Sequence, residues 1–160
     1  MIKFIKNYSL FLIFASIFFL DRITKYFVVN QVNNLGRNNI FETKYLSFEL
    51  IWNKGIAFGL LSFSSNTIYN FISFVIFFVI LILTFLLFKS KKTEKLFFTL
   101  ILGGAIGNLY DRIIFKSVPD FIDIHFNNFL WFIFNIADIF ITIGVLGLIF
   151  TEMLLKKNDT

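Results

Sequence analysis

The chain contains no cysteine, one histidine and one proline. Without cysteine there is no disulfide, no thiol nucleophile and no thiolate metal site. A lone histidine, His125, cannot supply the two ligands on one helix that an HExxH zinc protease needs. A GxSxG serine elbow is also missing. Any hydrolytic chemistry therefore falls to Asp/Glu, Ser/Thr or Lys. Charge is scarce as well: charged residues are 16% of the 160-residue chain, against about 25% in a soluble domain. What fills the chain is apolar. It is 58% hydrophobic, 26 residues are Phe, and the mean hydropathy is +0.80. A soluble fold of this size has no room to bury so much, so the expectation is one integral membrane unit. The net charge of +5 is a weak pointer to nucleic acid, and none is expected as a partner, because the basic residues sit where membrane topology wants them.

Apolar stretches at about 8–29, 68–88, 96–115 and 132–155 are each long enough to span a bilayer, which takes about 20 residues. Lys3 and Lys6 ahead of the first run resemble a secretory leader. No small-x-small cleavage site follows, and Asp21-Arg22 runs straight on into Ile23–Val29, so an uncleaved helix is expected. Asn30, Asn33, Asn34, Gly36, Asn38 and Asn39 mark a loop. Residues 40–51 read as β-like, with Phe41, Tyr45, Phe48, Leu50 and Trp52 alternating loosely with polar residues, and with residues 53–59 after them a small sheet or hairpin on the membrane surface is expected. Residues 116–131 read as a second outer loop. The expected fold is a mainly α, polytopic membrane protein with four transmembrane helices, a small extracytoplasmic β-sheet cradle and that second loop, with 1–160 forming a single domain. Lys3, Lys6, Lys89, Lys91, Lys92, Lys95, Lys156 and Lys157 fall on one side, while the other holds Arg37, Lys44, Lys54 and Lys116. The positive-inside rule then puts both termini in the cytoplasm and both long loops outside.

A carboxylate at membrane depth is costly and normally faces a bundle interior or a wet cavity. Asp21 and Asp111 come late in outward spans, Asp138 comes early in an inward one, and Asp120 lies on the outer loop. All reach the outer leaflet, roughly 5–8 Å or more beyond the midplane at the helical rise. Lys25, Asn108, Arg112 and Asn135 share that level. Asp21 and Lys25, four apart, can pair; the alternative is an interfacial helix-end bridge with Lys25 snorkelling. Asn108, Asp111 and Arg112 share a helix face, and Asp111 beside Arg112 reads as a supporting acid. Gly103, Gly104 and Gly107 suit close helix approach. Asp138 has no basic residue within four positions, and Pro119 breaks any helix joining Lys116 to Asp120. Those two acids are the freest, with Asp123 and His125 as alternatives on the same loop. Three chemistries fit. Two carboxylates sharing a proton can work as base and acid on a water and a carbonyl. A proton or ion carrier is the second, although carriers more often hold acids at the midplane on broken helices. A purely structural polar cluster is the third.

At these residues the chain resembles the lipoprotein signal peptidases, the signal peptidase II family of bacterial membrane aspartic proteases. The likeness lies in Asp21-Arg-x-Thr-Lys25, Asn53-x-Gly55-x-Ala-Phe-Gly59, Gly104-x-x-Gly-Asn108-x-x-Asp111-Arg112, Val118-x-Asp120-Phe121 and Phe134-Asn135-x-Ala-Asp138. Five motifs in order cover nearly the whole chain. The resemblance implies that Asp120 and Asp138 are the catalytic pair, with no metal or other cofactor. It implies that Asn108 and Asn135 sit beside the pair, that Asp111 and Arg112 are a supporting pair, and that Asp21, Lys25, Asn53, Gly55 and Gly104 support the site or substrate. The implied substrate is a diacylglyceryl-modified prolipoprotein, cut just before its lipid-bearing cysteine. The enzyme would act as a monomer among membrane lipid in the bacterial cytoplasmic membrane, with its site toward the outer face. One departure is Ile56, where the family often has Ala.

Overall fold

The computed structural model describes residues 2–55, 66–126 and 129–158, with side chains over 8–55, 67–125 and 132–154. The second half of the Asn53–Gly59 motif, including Ile56, lies outside the described residues. In order come α1 (Ile2–Leu35), β1 (Asn39–Glu42), β2 (Leu46–Asn53), α2 (Asn66–Lys89), α3 (Lys92–Phe115), β3 (Val118–Phe126), β4 (Phe129–Phe134) and α4 (Ile136–Asn158).

Three of the helices are long and apolar enough to cross a membrane, over Thr67–Lys89, Lys92–Phe115 and Ile136–Leu154. The first helix, α1, is longer still but carries Asp21, Arg22 and Lys25 in its apolar run. The α2 helix presents Phe71, Phe74, Phe78 and Phe85 outward, as a face meant for lipid does. The central element is α3, which packs on α1, α2 and α4. Small residues let it approach that closely. A Cβ on Gly107 would stand 2.7 Å from Asp21 Oδ2. One on Gly104 would run into the carbonyl oxygen of Ala137, and one on Gly144 would stand 2.8 Å from the Phe97 carbonyl oxygen.

Three expectations are corrected. The asparagine-rich stretch after residue 29 is helix through Asn30, Asn33 and Asn34, since α1 continues to Leu35, and the expected loop is confined to residues 36–38. Val28 and Val32, one turn apart, bury against Leu50 and Phe121, and that packing outweighs the weak helix preference of asparagine. Gly36 ends the helix at φ +64, its N–H donating to the Val32 carbonyl at 2.9 Å. Residues 116–131 are likewise no simple loop. Lys116, left-handed at φ 56, stops α3, and the chain enters β3 at once. The strands form one antiparallel sheet in the order β1-β2-β3-β4. This makes β3 an inner strand, paired with β2 from Val118 and with β4 from Ile122 onward. The strand β4 takes Phe132–Phe134 from the expected fourth span, so α4 starts at Ile136. The pairing of β2 with β3 sets Ile51 opposite Asp120 and Asn53 opposite Val118, after a register shift between Phe48 and Ile51.

Candidate active site

Two polar groups lie side by side where α1, α3, α4 and the sheet meet. The first joins Asp21, Arg22 and Lys25 of α1 to Asp111 of α3. Both carboxylates are fully buried, and Lys25 is 2% exposed. The Arg22 fork bonds both acids: Nη1 to Asp111 Oδ1, and Nη2 to Asp21 Oδ2 at 2.6 Å and Asp111 Oδ2 at 2.7 Å. Lys25 Nζ donates to Asp21 at 3.0 Å, to Asp111 at 2.7 Å and to Asn108 Oδ1 at 2.7 Å. The rings of Tyr110 and Phe18 cover the guanidinium. Two acids and two bases balance, which is the condition for keeping ions away from water. Asp21 Oδ1 also accepts the Ala137 N–H at 3.1 Å, so the cluster holds the first turn of α4.

The Asp21–Lys25 pair therefore forms as the spacing suggests, buried rather than snorkelling. The pairing of Asp111 with Arg112 does not form. Asp111 is held by Arg22 and Lys25, while Arg112 turns the other way. Consecutive helical residues lie about 100° apart, so neighbours in sequence need not meet. The Arg112 guanidinium stands 5.8 Å from the centre of the Tyr69 ring. Its Nε and Nη1 lack a hydrogen-bond partner among the described residues. Sequence reasoning passed over Arg22 and Tyr69. Arg22 is visible only as the second residue of Asp-Arg-x-Thr-Lys, and a contact made across helices leaves no local spacing signal.

The second group is Asp120 on β3 and Asp138 on α4. Both are buried, at 3% and 7% exposed, and neither makes an ion pair among the described residues. Both line a cavity of about 220 Å³ together with Asn53, Asn108 and Arg112, floored by Ala105, Ile76 and Ile141. Neutral amides hold every carboxylate oxygen. Asp120 Oδ2 accepts Asn53 Nδ2 at 2.8 Å, and Asp120 Oδ1 accepts Asn135 Nδ2 at 2.6 Å. Asp138 Oδ1 accepts Asn108 Nδ2 at 2.8 Å. Asp138 Oδ2 accepts the Asn135 backbone N–H at 3.1 Å, while Asn135 Oδ1 accepts the Asp138 N–H at 3.2 Å. That exchange is a reciprocal N-cap box, so Asn135 starts α4 and locks Asp138 in its first turn. Asn53 Oδ1 accepts the Gly55 N–H at 2.7 Å, which fixes the Asn53 amide for Asp120. Burial first, and the nearby Asp138 second, push the Asp120 carboxyl up to about 7.

Asp123 and His125 fall elsewhere. Three residues along a strand puts Asp123 on the face opposite Asp120. There it accepts Ser47 Oγ at 2.9 Å and meets His125 Nδ1 at 3.2 Å, while His125 Nε2 meets the Thr43 carbonyl at 3.1 Å. They fasten the sheet and do not enter the cavity. Gly104 lies where α3 touches the backbone of α4. Among the described residues, no group of three or more His, Cys, Asp or Glu side chains is placed to hold a metal ion. The cavity can thus offer two adjacent acids, amides to orient them and an unfilled guanidinium to whatever enters.

The chain is similar to known proteins along most of its length. A family described as "Signal peptidase (SPase) II" matches residues 13–154. The chain is 45% identical over 157 residues to the lipoprotein signal peptidase of Pelagibacter ubique, covering 98% of this chain and 95% of that one. It is 40% identical over 149 residues to the lipoprotein signal peptidase of Aquifex aeolicus, covering 89% and 87%. Among solved structures it resembles a bacterial membrane enzyme with a TM-score of 0.78 and 28% identity, over 95% of this chain and 92% of that one.

Proposed function

The chain belongs to the signal peptidase II family, and from that premise we propose that it removes signal peptides from prolipoproteins as an aspartic endopeptidase whose dyad is Asp120 and Asp138. One observation carries the reading. Two buried acids without a cationic partner among the described residues open onto one cavity, and amides hold all four of their oxygens. A structural role would favour ion pairs of the kind made by Asp21 and Asp111. The carrier alternative draws no support from the family.

In the proposed reaction a water lies between the two acids and the scissile carbonyl. Asp120 holds the proton that the pair shares. Asp138 takes a proton from the water as its oxygen attacks the carbonyl carbon, while Asp120 hydrogen-bonds the carbonyl oxygen. The tetrahedral intermediate collapses, the C–N bond breaks and the amine leaves with a proton. Asp138 returns its proton to the leaving nitrogen, the new carboxylic acid gives up its own to the freed amine, and the products are a carboxylate and an ammonium, with one proton again on the pair. Asn53, Asn108 and Asn135 fix both acids so that no reorganisation accompanies the charge movement.

The substrate we assign is the diacylglyceryl-modified form, cut before its lipidated cysteine. The site lies at the outer end of the helices, where such a lipid anchor must sit. The reading includes α1 as a fourth membrane span, residues 1–160 as one domain, cytoplasmic termini, an outward-facing site in the bacterial cytoplasmic membrane, contact with membrane lipid and action as a monomer. The test is to incubate the purified protein with lipidated and unlipidated precursor and to determine the new N-terminus by mass spectrometry. A product beginning at the lipidated cysteine, from the lipidated precursor alone, is expected. Equal cleavage of both would remove the lipid requirement, and no cleavage by folded protein would remove the peptidase.

A further inference from the structure

We infer that Lys25 is a positioning residue for Asp138, acting through the side-chain amide of Asn108. The inference rests on the dyad proposed above.

An asparagine amide has two different ends, a carbonyl that only accepts and an NH2 that only donates. Asp138 needs the donating end. Asn108 Oδ1 lies 2.7 Å from Lys25 Nζ and 3.2 Å from Asn135 Nδ2, while its Nδ2 lies 2.8 Å from Asp138 Oδ1. An ammonium can only donate, so Lys25, at a shorter distance than the Asn135 amide that donates to the same oxygen, turns the carbonyl toward α1 and leaves the NH2 for Asp138. With Lys25 gone, the same amide could turn over. Its NH2 would then point toward the carboxylates of Asp21 and Asp111, and its carbonyl would face Asp138, acceptor against acceptor. Buried groups left in that state are costly.

Lys25 itself is held hard. Its remaining bonds go to Asp21 and Asp111, and it is 2% exposed. It does not line the cavity that Asp120 and Asp138 share. Its hydrogen-bonded link to Asp138 therefore runs through Asn108, beside the direct pull of its charge on Asp120, and not through contact with substrate in that cavity. The ion cluster thus has two tasks: it clamps α1 to α3 and α4, and it sets which end of one amide meets Asp138.

Lys25→Met alone leaves two buried acids facing one Arg22 and can fail to fold. The test therefore removes one charge of each sign. In an Asp111→Asn background, Lys25→Met, Asn108→Ala and their combination are made in the full chain. Folding is checked by thermal unfolding in detergent, and cleavage of a diacylglyceryl prolipoprotein is measured across substrate concentration. The expected result is a loss of about a hundredfold in kcat for Lys25→Met, as for a displaced reacting group, with KM little changed. Once Asn108 is Ala, adding Lys25→Met should cost no more than about twofold, because the two changes break one link. Retained kcat, or losses that multiply in the combined variant, would overturn the role of Lys25. Asp138→Asn in the same assay separates this from the premise. If Asp138→Asn cleaves like wild type, the dyad fails. If it is inactive while the other losses multiply, the dyad stands and Lys25 is only a structural ion.

Discussion

At the residue scale, the decisive contrast is between two pairs of buried acids. Asp21 and Asp111 are neutralised by Arg22 and Lys25. Asp120 and Asp138 meet amides. A proton then becomes the natural counter-charge, and the Asp120 carboxyl at about 7 expresses this. Cleavage should accordingly fall as pH rises through about 7, because the pair loses the proton that polarises the carbonyl; an initial-rate profile checks it. Stability carries the same sign. The folded state binds a proton that the unfolded chain has released, so this contribution is whole below the ordinary aspartate range and is lost as pH rises through about 7. Asp120→Asn should flatten that fall in melting temperature between pH 5 and 8. An undiminished slope would assign the titration to another group. Asn53→Ala removes one donor to Asp120 and is expected to lower kcat by about 10²-fold without unfolding the protein, as kinetics and a melting curve together would show.

At the element scale, α3 is the shared wall of both polar groups, and its glycines set the distances. Gly107→Ala would press a methyl group on Asp21. It should cost about 1–3 kcal/mol, as overpacking does, which chemical denaturation in micelles can read. Gly104→Ala meets backbone rather than side chain and should do more. The carbonyl of Ala137 cannot move without α4, and α4 carries Asp138, so activity should be lost along with stability. This scale also shows what the sequence could and could not disclose. An uncharged apolar run made α2 legible, and length with overall apolarity did the same for α3 despite its Asn108, Asp111 and Arg112, since a membrane span declares itself by length. The end of α1 was hidden because Asn30, Asn33 and Asn34 are poor helix formers locally, and it takes partners far along the chain, Leu50 and Phe121 among them, to explain why Val28 and Val32 stay helical. The strands β3 and β4 were hidden for a similar reason. Asp120, Asp123 and His125 interrupt the apolar alternation, and a strand is stabilised by partners that its own sequence does not name. The convergence of Asp21 with Asp111 was readable, because acids late in two outward spans meet when the helices pack. The wiring was not: Arg22 with Asp111, and Lys25 with Asn108, are contacts between helices.

At the scale of the whole molecule, three apolar helices and the long α1 carry a four-stranded antiparallel sheet at one end, with the acids at the junction of the two. A chain without cysteine allows the proposed orientation to be read directly. Lys44→Cys, between β1 and β2, should react with an impermeant maleimide from outside intact cells. Lys92→Cys, at the start of α3, should react only after the membrane is opened. The reverse pattern would turn the site toward the cytoplasm and remove the outer-leaflet substrate. The most direct test of the proposed chemistry is cleavage of a purified diacylglyceryl prolipoprotein by wild type, Asp120→Asn and Asp138→Asn, each shown to be folded. A mature-size product from wild type alone is the expected result. A product from either variant at the wild-type rate would contradict the dyad.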